Sequence, residues 1–362
     1  MAVPLFDQST PLAPLRERLH ARAAEVLDRG VYILGPEGRA FEEEFAAYLG
    51  ARHAIGVGNG TDALTLALRA MGVGPGDEVV VPSFTFYASV EAIAPTGAVP
   101  VFCDIDLETF CITADTVRAV LTPRTKAVIA VDLFGNPAPI DEIAALGVPV
   151  LEDAAQAAGS TLGGRFAGTL GHAATFSFYP SKNLGGFGDG GAVVTEDDDL
   201  AETVRSLRSH GSRDKVTFER IGVNSRLDEL QAALLRVLLP ELDGWADGRR
   251  QAARHYREAG LEELAAPPRA LAGADPAWHL YVIRHPQADA LAAALTAAAI
   301  GNRAYYRMPV HRQPAMRPYG DGAWLPATAQ AARTHLAIPM SAVLAAEQAG
   351  EVVAALRSAE LA

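Results

Sequence analysis

One stretch, Ala174-Thr-Phe-Ser-Phe-Tyr-Pro-Ser-Lys182-Asn-Leu-Gly-Gly-Phe-Gly-Asp-Gly-Gly191, joins a short apolar run to one lysine and then to five glycines. The apolar run has the length of a buried β-strand. A lysine just beyond such a strand, followed by glycines that leave room, suggests an amine held against a planar ligand. Lys182 is therefore the first candidate for a chemical role.

Seven short apolar runs alternate with helical stretches through the first 200 residues. They are residues 54–57, 78–81, 99–102, 127–131, 149–151, 174–178 and 192–195. Short runs rich in Val and Ile, separated by helices, predict a mostly parallel sheet that is covered on both faces. We therefore expect an α/β fold, with a large domain over residues 1–245 and a smaller C-terminal α+β domain over residues 246–362. In such sheets, ligands bind beyond the carboxyl ends of the strands.

The composition is that of an ordinary globular protein, with 49% hydrophobic and 20% charged residues. A net charge of -12 argues against nucleic acid or an anionic membrane surface as the main partner. The two cysteines, Cys103 and Cys111, provide neither a disulfide framework nor a metal-ligand set, so we expect packing thiols and no metal. Without a signal-peptide pattern or a membrane-length apolar run, the chain is expected to be cytoplasmic.

Residues 56–62, Gly-Val-Gly-Asn-Gly-Thr-Asp, follow a predicted strand and open a helix. The amides of Gly60, Thr61 and Asp62 would lie at the helix N-terminus, which favours anions, and Thr61 adds a hydroxyl. A dinucleotide fold is the competing interpretation. However, the third glycine of G-x-G-x-x-G falls at Thr61, and the acidic residue expected at the end of the next strand is missing. A phosphate monoester is favoured over a dinucleotide, and a plain tight turn stays an alternative.

Aromatic and acidic residues follow two other predicted strands. Phe86 comes after residues 78–81, where it could stack on a flat ring, although an aromatic there is more often part of the core. Glu152 and Asp153 follow another strand, and adjacent carboxylates in that position need a positive partner. Asp153 could cap a helix or face a cationic ring nitrogen, with Gln156 binding another part of the same ring.

The interpretation of Lys182 depends on its companions, because a lysine taken at random is nearly always solvated. Thr61 offers an anion site, Asp153 a carboxylate, and Ser177 a hydroxyl five residues before the lysine. This set matches the needs of pyridoxal phosphate: a lysine for the aldehyde, a carboxylate for the pyridine nitrogen, and donors for the phosphate.

Six segments, in order, carry a specific resemblance over nearly the whole chain. They are residues 32–37 (Tyr-Ile-Leu-Gly-Pro-Glu), 59–64 (Asn-Gly-Thr-Asp-Ala-Leu), 152–156 (Glu-Asp-Ala-Ala-Gln), 176–185 (Phe-Ser-Phe-Tyr-Pro-Ser-Lys-Asn-Leu-Gly), 188–191 (Gly-Asp-Gly-Gly) and 224–233 (Asn-Ser-Arg-Leu-Asp-Glu-Leu-Gln-Ala-Ala). The chain resembles the DegT/DnrJ/EryC1/StrS family of pyridoxal-phosphate-dependent nucleotide-sugar aminotransferases, which have fold type I.

The resemblance implies a role for each cofactor-binding residue. Lys182 would bind the aldehyde as a Schiff base and later move a proton between substrate and cofactor, and Asp153 would pair with the pyridine nitrogen. Gln156 would lie beside the ring hydroxyl, and Phe86 would stack on the ring. The phosphate would be held by Gly60, Thr61 and Ser177, and by Asn224 of a neighbouring subunit.

The resemblance also implies the remaining contacts. Substrate-binding residues would be Tyr32, Asn183, Arg226, Tyr305, Tyr306 and His311. Arg226 would act across a dimer interface, so the implied assembly is a homodimer with shared active sites. From the residues alone, the polar segment that carries Asn224 and Arg226 could equally be a capped helix start.

Within the family, residues 186–191 and 221–228 are most similar to enzymes that act on 3-keto sugars, including the aminotransferase for a UDP-linked 3-oxo-glucuronate. That enzyme has His-Tyr-Pro where this chain has Tyr305-Tyr306-Arg307. A neutral deoxy-hexose is therefore the easier substrate, although Arg307 could supply a different anion contact. The retained Lys182 argues against the dehydratase branch, in which a histidine replaces the lysine.

The predicted function is amino transfer from L-glutamate, which leaves as 2-oxoglutarate, through the pyridoxal and pyridoxamine phosphate forms to a nucleotide-linked keto-hexose. Carbon 3 is favoured over carbon 4, and the amino sugar would serve a surface polysaccharide or a glycosylated natural product. One alternative is a regulatory pyridoxal-phosphate protein that binds sugar nucleotides without turnover. Another is an α/β binding domain with no cofactor.

Overall fold

The computed structural model describes residues 3–320 and 322–359. The β-strands of this part are β1 (His53–Val57), β2 (Glu78–Pro82), β3 (Val99–Cys103), β4 (Thr125–Val131), β5 (Val150–Asp153), β6 (Thr161–Leu162), β7 (Arg165–Phe166), β8 (Ala173–Ser177), β9 (Gly191–Thr195), β10 (Ala274–Asp275), β11 (Tyr281–Arg284) and β12 (His335–Ile338). All seven predicted strands are present, with ends that differ by up to two residues.

The α-helices of the same part are α1 (Ser9–Leu12), α2 (Arg16–Arg29), α3 (Pro36–Leu49), α4 (Gly60–Ala70), α5 (Ala88–Glu91), α6 (Ala114–Arg118), α7 (Ile140–Ala144), α8 (Asp198–Leu207), α9 (Glu229–Leu238), α10 (Leu242–Glu258), α11 (Ala288–Ala297), α12 (Arg317–Gly320), α13 (Pro326–Thr334) and α14 (Ala346–Arg357). Within residues 3–320 and 322–359, none of these helices combines the length and apolar character that crossing a bilayer requires.

The central sheet has seven strands in the order β1-β9-β8-β5-β4-β2-β3. The five strands from β8 to β3 pair in parallel, whereas β9 is antiparallel to both β8 and β1. The prediction of a mostly parallel seven-stranded sheet is therefore confirmed. Because β8 and β5 are parallel neighbours, their carboxyl ends bring Ser177 and Asp153 to the same edge.

Helices cover both faces of this sheet, as the apolar runs predict. Apolar residues of α4 and α8 form the core of one face, and those of α3 and α9 belong to the core of the other. Phe176 on β8 meets Phe45 of α3 edge to face, with ring centroids 5.0 Å apart. Burial of this aromatic cluster fixes β8, and with it the start of the turn that carries Lys182.

The end of β5 differs from the sequence expectation. The predicted strand stops at residue 151, but β5 continues through Glu152 and Asp153. Successive side chains of a strand point to opposite faces of the sheet. The two carboxylates are therefore separated by the sheet rather than placed side by side in a loop.

A smaller core lies at the C-terminal end of the chain. Strands β11 and β12 form an antiparallel pair, and their apolar residues pack with those of α10, α11 and α14. Val3 is buried in the same cluster, and its carbonyl accepts a hydrogen bond from the Gly301 amide at 2.8 Å. Helix α10 runs without a break across residue 245, so the predicted domain boundary falls inside a helix.

Candidate active site

A cleft of about 780 Å³ opens at the carboxyl edge of the sheet, between the strand ends and the segment 303–313. This volume is typical of a small-molecule site. Among its lining residues are nine that the sequence predicts for the site: Gly60, Thr61, Phe86, Asp153, Gln156, Ser177, Lys182, Tyr305 and Tyr306. The structure thus brings together residues from five separate segments of the chain.

Lys182 lies in the tight turn that follows β8, where its amide donates a hydrogen bond to the Tyr179 carbonyl at 2.8 Å. Desolvation in the cleft lowers the pKa of Lys182 from 10.5 to about 8, although the Asp153 carboxylate opposes this change. A free amine is a nucleophile and a base, whereas an ammonium group is neither. The cleft therefore increases the fraction of Lys182 that is present as the free amine.

Asp153 is the last residue of β5 and is buried in the floor of the cleft. Its Oδ2 accepts a hydrogen bond from the Ser89 hydroxyl at 2.8 Å, and its Oδ1 accepts one from the Ala155 amide at 3.2 Å. Burial raises the pKa of Asp153, and the hydrogen bond from Ser89, the one from Ala155 and the charge of Lys182 oppose that rise. A cationic ring placed against Asp153 would favour the carboxylate form further.

The Ser89 hydroxyl is a part of the site that sequence reasoning missed. Ser89 belongs to the short helix α5, and its own partner besides Asp153 is the Thr85 hydroxyl at 3.1 Å. It lies 64 positions before Asp153 in the chain. No motif spacing links the two residues, so only the fold reveals the contact.

Glu152 points to the opposite face of the sheet from Asp153. Its carboxylate accepts hydrogen bonds from the amides of Gly168, Leu170 and Gly171 at 2.6, 2.9 and 3.1 Å. Burial raises the pKa of Glu152 and raises that of the adjacent Asp132 well above its usual range. Three backbone amides therefore hold the Glu152 carboxylate, without a cationic side chain.

The N-terminus of α4 meets Ser177 at the cleft wall. The sequence predicts three free amides there, but the Asp62 amide donates to Oδ1 of the helix cap Asn59 at 2.8 Å, which corrects that expectation. The amides of Gly60 and Thr61 remain for a ligand. A Cβ atom on Gly60 would lie 2.8 Å from Cβ of Ser177, so only glycine allows this approach. The paired helix N-terminus and hydroxyl fit a phosphate group.

Gln156 is fixed from two sides. Its Oε1 accepts a hydrogen bond from the Phe134 amide at 2.7 Å, and its Nε2 donates to the Tyr306 hydroxyl at 3.2 Å. Tyr306 has a positive φ of 58° and stacks on the Phe134 ring, with centroids 6.0 Å apart. The amide of Gln156 is thus held in place at the cleft wall, and no local sequence pattern predicts its two hydrogen-bond partners.

Two predicted substrate residues do not line the cleft. The Asn183 side chain is buried, and its Nδ2 donates to the carbonyls of Ala158 and Ala277, both at 3.2 Å. His311 is also buried, where its Nδ1 hydrogen-bonds the Ser83 hydroxyl. In this structure both side chains hold backbone or neighbouring side chains in place, and their contact with substrate stays a prediction.

Three further predicted residues, Tyr32, Asn224 and Arg226, also lie outside the cleft lining. Tyr32 is 50% exposed, and Asn224 is exposed in a backbone bridge with Ser209. The sequence assigns Asn224 and Arg226 to the site of a neighbouring subunit. Their outward position in one chain is compatible with that assignment, which stays a prediction.

His279 is a cleft residue that the sequence left without a role. Its imidazole is buried, stacks on Phe6 with centroids 6.1 Å apart, and lines the cleft near Lys182. Burial, followed by the charges of Lys182 and Arg249, lowers the pKa of His279 well below its usual range. The cleft therefore holds a neutral imidazole beside the lysine.

Two curated proteins are similar to this chain over nearly its whole length. The dTDP-3-amino-3,4,6-trideoxy-alpha-D-glucose transaminase of Streptomyces venezuelae is 46% identical, with 98% of this chain and 95% of that protein covered. The "pleiotropic regulatory protein" of Geobacillus stearothermophilus is 44% identical, with 98% and 97% covered. Relatives at this identity and coverage share the fold and the family.

A solved structure supports the same relationship. The crystal structure of DesV from Streptomyces venezuelae, in complex with a ketimine intermediate, superposes with a TM-score of 0.94. It is 45% identical, and 98% of each chain is covered. The predicted fold type is confirmed by this match.

A family model, described as the DegT/DnrJ/EryC1/StrS aminotransferase family, matches residues 14–357. Solved structures similar to this chain include one with bound pyridoxamine phosphate. The chain therefore belongs to the DegT/DnrJ/EryC1/StrS family of pyridoxal-phosphate-dependent nucleotide-sugar aminotransferases, as its six sequence segments predict.

Proposed function

We propose that this enzyme transfers an amino group from L-glutamate to carbon 3 of a nucleotide-linked keto-hexose. One observation carries the proposal: the amine of Lys182, the carboxylate of Asp153 and the α4 N-terminus with Ser177 all face one cleft. When bound, the cofactor supplies an aldehyde and an electron-withdrawing ring that stabilises negative charge on the substrate carbon.

The polar groups of the cleft fit this cofactor at three points. Gly60, Thr61 and Ser177 would hold the phosphate, and Asp153 would hold a positive charge on the ring nitrogen. Gln156, fixed by Phe134 and Tyr306, would present its amide at the ring edge. Phe86 is 56% exposed on the cleft wall, which leaves the face of its ring free to stack on a flat ligand.

Lys182 has two tasks in this proposal. Its amine would bind the aldehyde, and as a free amine it would then move a proton between the substrate carbon and the cofactor carbon. A pKa of about 8 suits both tasks, because the proton is neither held too tightly nor refused near neutral pH. Asp153, whose charge acts on Lys182 in the same cleft, would support them by holding a positive charge on the cofactor ring.

Two observations support a neutral sugar aminated at carbon 3. The relatives include transaminases named for 3-amino sugars. In addition, the Arg307 guanidinium is engaged by Asp289 and donates to the Arg333 carbonyl at 3.0 Å. An arginine with an acidic partner is poorly available to a sugar carboxylate, so a uronic acid is disfavoured.

We also propose that the enzyme acts as a homodimer. Large apolar side chains are exposed close in sequence to Asn224, including Ile221 at 89% and Phe218 at 60%. An exposed apolar patch of this kind is typical of an interaction surface. A second copy would cover it and bring Asn224 and Arg226 to the neighbouring cleft.

The first experiment tests amino transfer directly. Purified protein with pyridoxal phosphate should show the absorbance of a lysine-bound cofactor, and glutamate should convert it to the pyridoxamine form. Supply of dTDP- or UDP-linked 3-keto and 4-keto hexoses should then restore the first spectrum, fastest with a 3-keto sugar. Lys182→Ala should lose the bound-cofactor absorbance and all turnover, and retention of either would overturn the proposal.

A second experiment tests the shared site. Lys182→Ala and an Asn224→Ala, Arg226→Ala double variant should each be inactive, because each lacks one part of every site. When the two variants are mixed and reassembled, about half of the dimers should contain one chain of each kind. Each mixed dimer then has one complete site out of two, so about a quarter of wild-type activity should return. No recovery from a proven mixed dimer would mean that each chain completes its own site.

The regulatory alternative predicts cofactor and sugar-nucleotide binding without turnover. A lysine with a lowered pKa, a buried carboxylate and a helix N-terminus paired with a hydroxyl all face the cleft, which supports an enzyme. Single-turnover conversion of the bound cofactor by glutamate decides between the two, because a purely regulatory protein would leave the spectrum unchanged.

A further inference from the structure

We propose that Arg303 binds the diphosphate of the nucleotide sugar at the mouth of the cleft. This inference rests on the proposed function, because it names how one part of the same substrate is held. Arg303 is not among the residues that the six family-like segments identify. The charges of the cleft residues and the packing of the Arg303 side chain indicate this contact.

Among the described residues that line the cleft, the cationic side chains are Lys182, Arg303 and Arg307. Lys182 is required for the aldehyde. Arg307 already has an acidic partner, because it forms an ion pair with Asp289. Within residues 3–320 and 322–359, no carboxylate lies within ion-pair distance of Arg303. Arg303 is thus the cleft cation that is free to meet an anionic ligand.

The Arg303 guanidinium is held in place by an aromatic ring. Its Cζ lies over the Tyr305 ring, 5.1 Å from the centroid. The backbone is also fixed, because the Arg303 amide and carbonyl both pair with Ala337 of β12, at 3.1 and 2.8 Å. Stacking orders the guanidinium but leaves its N–H donors free, so little conformational entropy is lost when an anion binds.

The position of Arg303 points to the diphosphate rather than to the sugar. Lys182, at the reacting end, is partly buried, whereas Arg303 is an exposed residue of the cleft wall. The keto carbon must reach the lysine end, so the nucleotide diphosphate has to extend toward the open side. A planar guanidinium matches a diphosphate well, because it can donate two parallel hydrogen bonds to phosphate oxygens.

The test measures ligand binding to the holoenzyme, apart from turnover. Arg303→Gln should weaken the binding of dTDP and UDP by roughly 10- to 100-fold, the loss expected for a charge-assisted contact. Binding of thymidine and uridine, which lack phosphate, should not change. Arg303→Lys should recover part of the affinity, since it keeps the charge but not the planar fork. Isothermal titration calorimetry provides all of these dissociation constants.

Arg312→Gln is the matched control, because it removes the same charge from an exposed position outside the cleft lining. This control should bind dTDP like the wild type. Unchanged dTDP and UDP affinity in Arg303→Gln would overturn the inference. So would an effect confined to glutamate, seen as a raised KM in the first half-reaction, because Arg303 would then hold the donor carboxylate.

Failure of this inference is distinct from failure of the proposed function. If Arg303→Gln binds dTDP normally while the wild type still converts glutamate, amino transfer stands and only the diphosphate contact is wrong. If the wild type binds dTDP through Arg303 but never reacts with glutamate, the contact stands and the enzymatic proposal is wrong.

Discussion

Glu152 and Asp153 are neighbours in the chain, yet they serve two different regions of the molecule. Asp153 faces the cleft, where a hydroxyl and one amide hold it beside Lys182. Glu152 faces the other side of the sheet, where three backbone amides of the turn at residues 168–171 surround it. The same functional group thus stabilises a turn in one region and is available to a ligand in the other.

The difference shows that the partners of a buried carboxylate decide its role. Three amide donors satisfy Glu152 fully, so nothing remains for a ligand. Asp153 has fewer donors and an amine nearby, so it keeps the capacity to hold a cationic group. Variants of the two residues should therefore affect different measured quantities.

The largest expected effect comes from Asp153→Asn. A neutral amide cannot hold a positive charge on the cofactor ring, so kcat should fall by about 100- to 1000-fold. The melting temperature should change little, which differential scanning calorimetry can check. Glu152→Gln is the matched control and should keep kcat within about threefold. The comparison breaks down if the two variants lose activity equally.

The second expected effect is a loss of folding stability in Glu152→Gln. In Glu152→Gln, a single amide oxygen replaces the two carboxylate oxygens that accept from Gly168, Leu170 and Gly171. The free energy of unfolding should fall by about 1.5–3 kcal/mol, the cost of weakened hydrogen bonds to a charged acceptor. Urea denaturation measures this loss. A larger loss in Asp153→Asn than in Glu152→Gln would contradict the proposed division.

A smaller effect should follow from Ser89→Ala, which removes the hydroxyl donor to Asp153. Loss of one hydrogen bond to a charged group raises the pKa of Asp153 and should lower kcat about tenfold. The pH profile of kcat distinguishes this from simple misfolding, because its acidic limb should move to higher pH. Ser206→Ala is the control, since this buried hydroxyl has no partner among the described residues. An unmoved acidic limb would rule out the positioning role of Ser89.

The smallest expected effect is on the pH dependence of the melting temperature of the cofactor-free protein. The pKa of Lys182 falls from 10.5 in an unfolded chain to about 8 in the cleft. Between these values the unfolded chain binds more protons, so the folding stability of the wild type rises with pH. Relative to Lys182→Met, the melting temperature should therefore rise from about pH 8 to about pH 10.5 and be flat below that range. A constant difference between the two proteins would refute the lowered pKa.

The pKa of Lys182 also distinguishes the two carboxylates. The charge of Asp153 raises the pKa of Lys182, so Asp153→Asn should lower that pKa further. Glu152→Gln should leave it unchanged, because Glu152 faces the other side of the sheet. The pH dependence of cofactor capture by the apoenzyme measures the lysine pKa in each variant.

The sequence alone determined the fold class and the main chemical groups of the site. Short Val- and Ile-rich runs separated by helices specify a covered parallel sheet, and residues just after such strands collect at one edge. Lys182, Asp153, Ser177 and Thr61 could be found in this way, because each lies at or just beyond the end of a strand or at the start of a helix. These signals are local and need no knowledge of which strands are neighbours.

The hydrogen-bond partners of those groups depend on the tertiary structure. Ser89 reaches Asp153 across 64 positions, and Tyr306 reaches Gln156 across 150. Such contacts depend on strand order and on how the C-terminal segment packs over the sheet edge, which no local pattern encodes. Glu152 and Asp153 have different partners for the same reason. Alternation along β5 places their side chains on opposite faces of the sheet, and the groups that pack against each face depend on the whole fold.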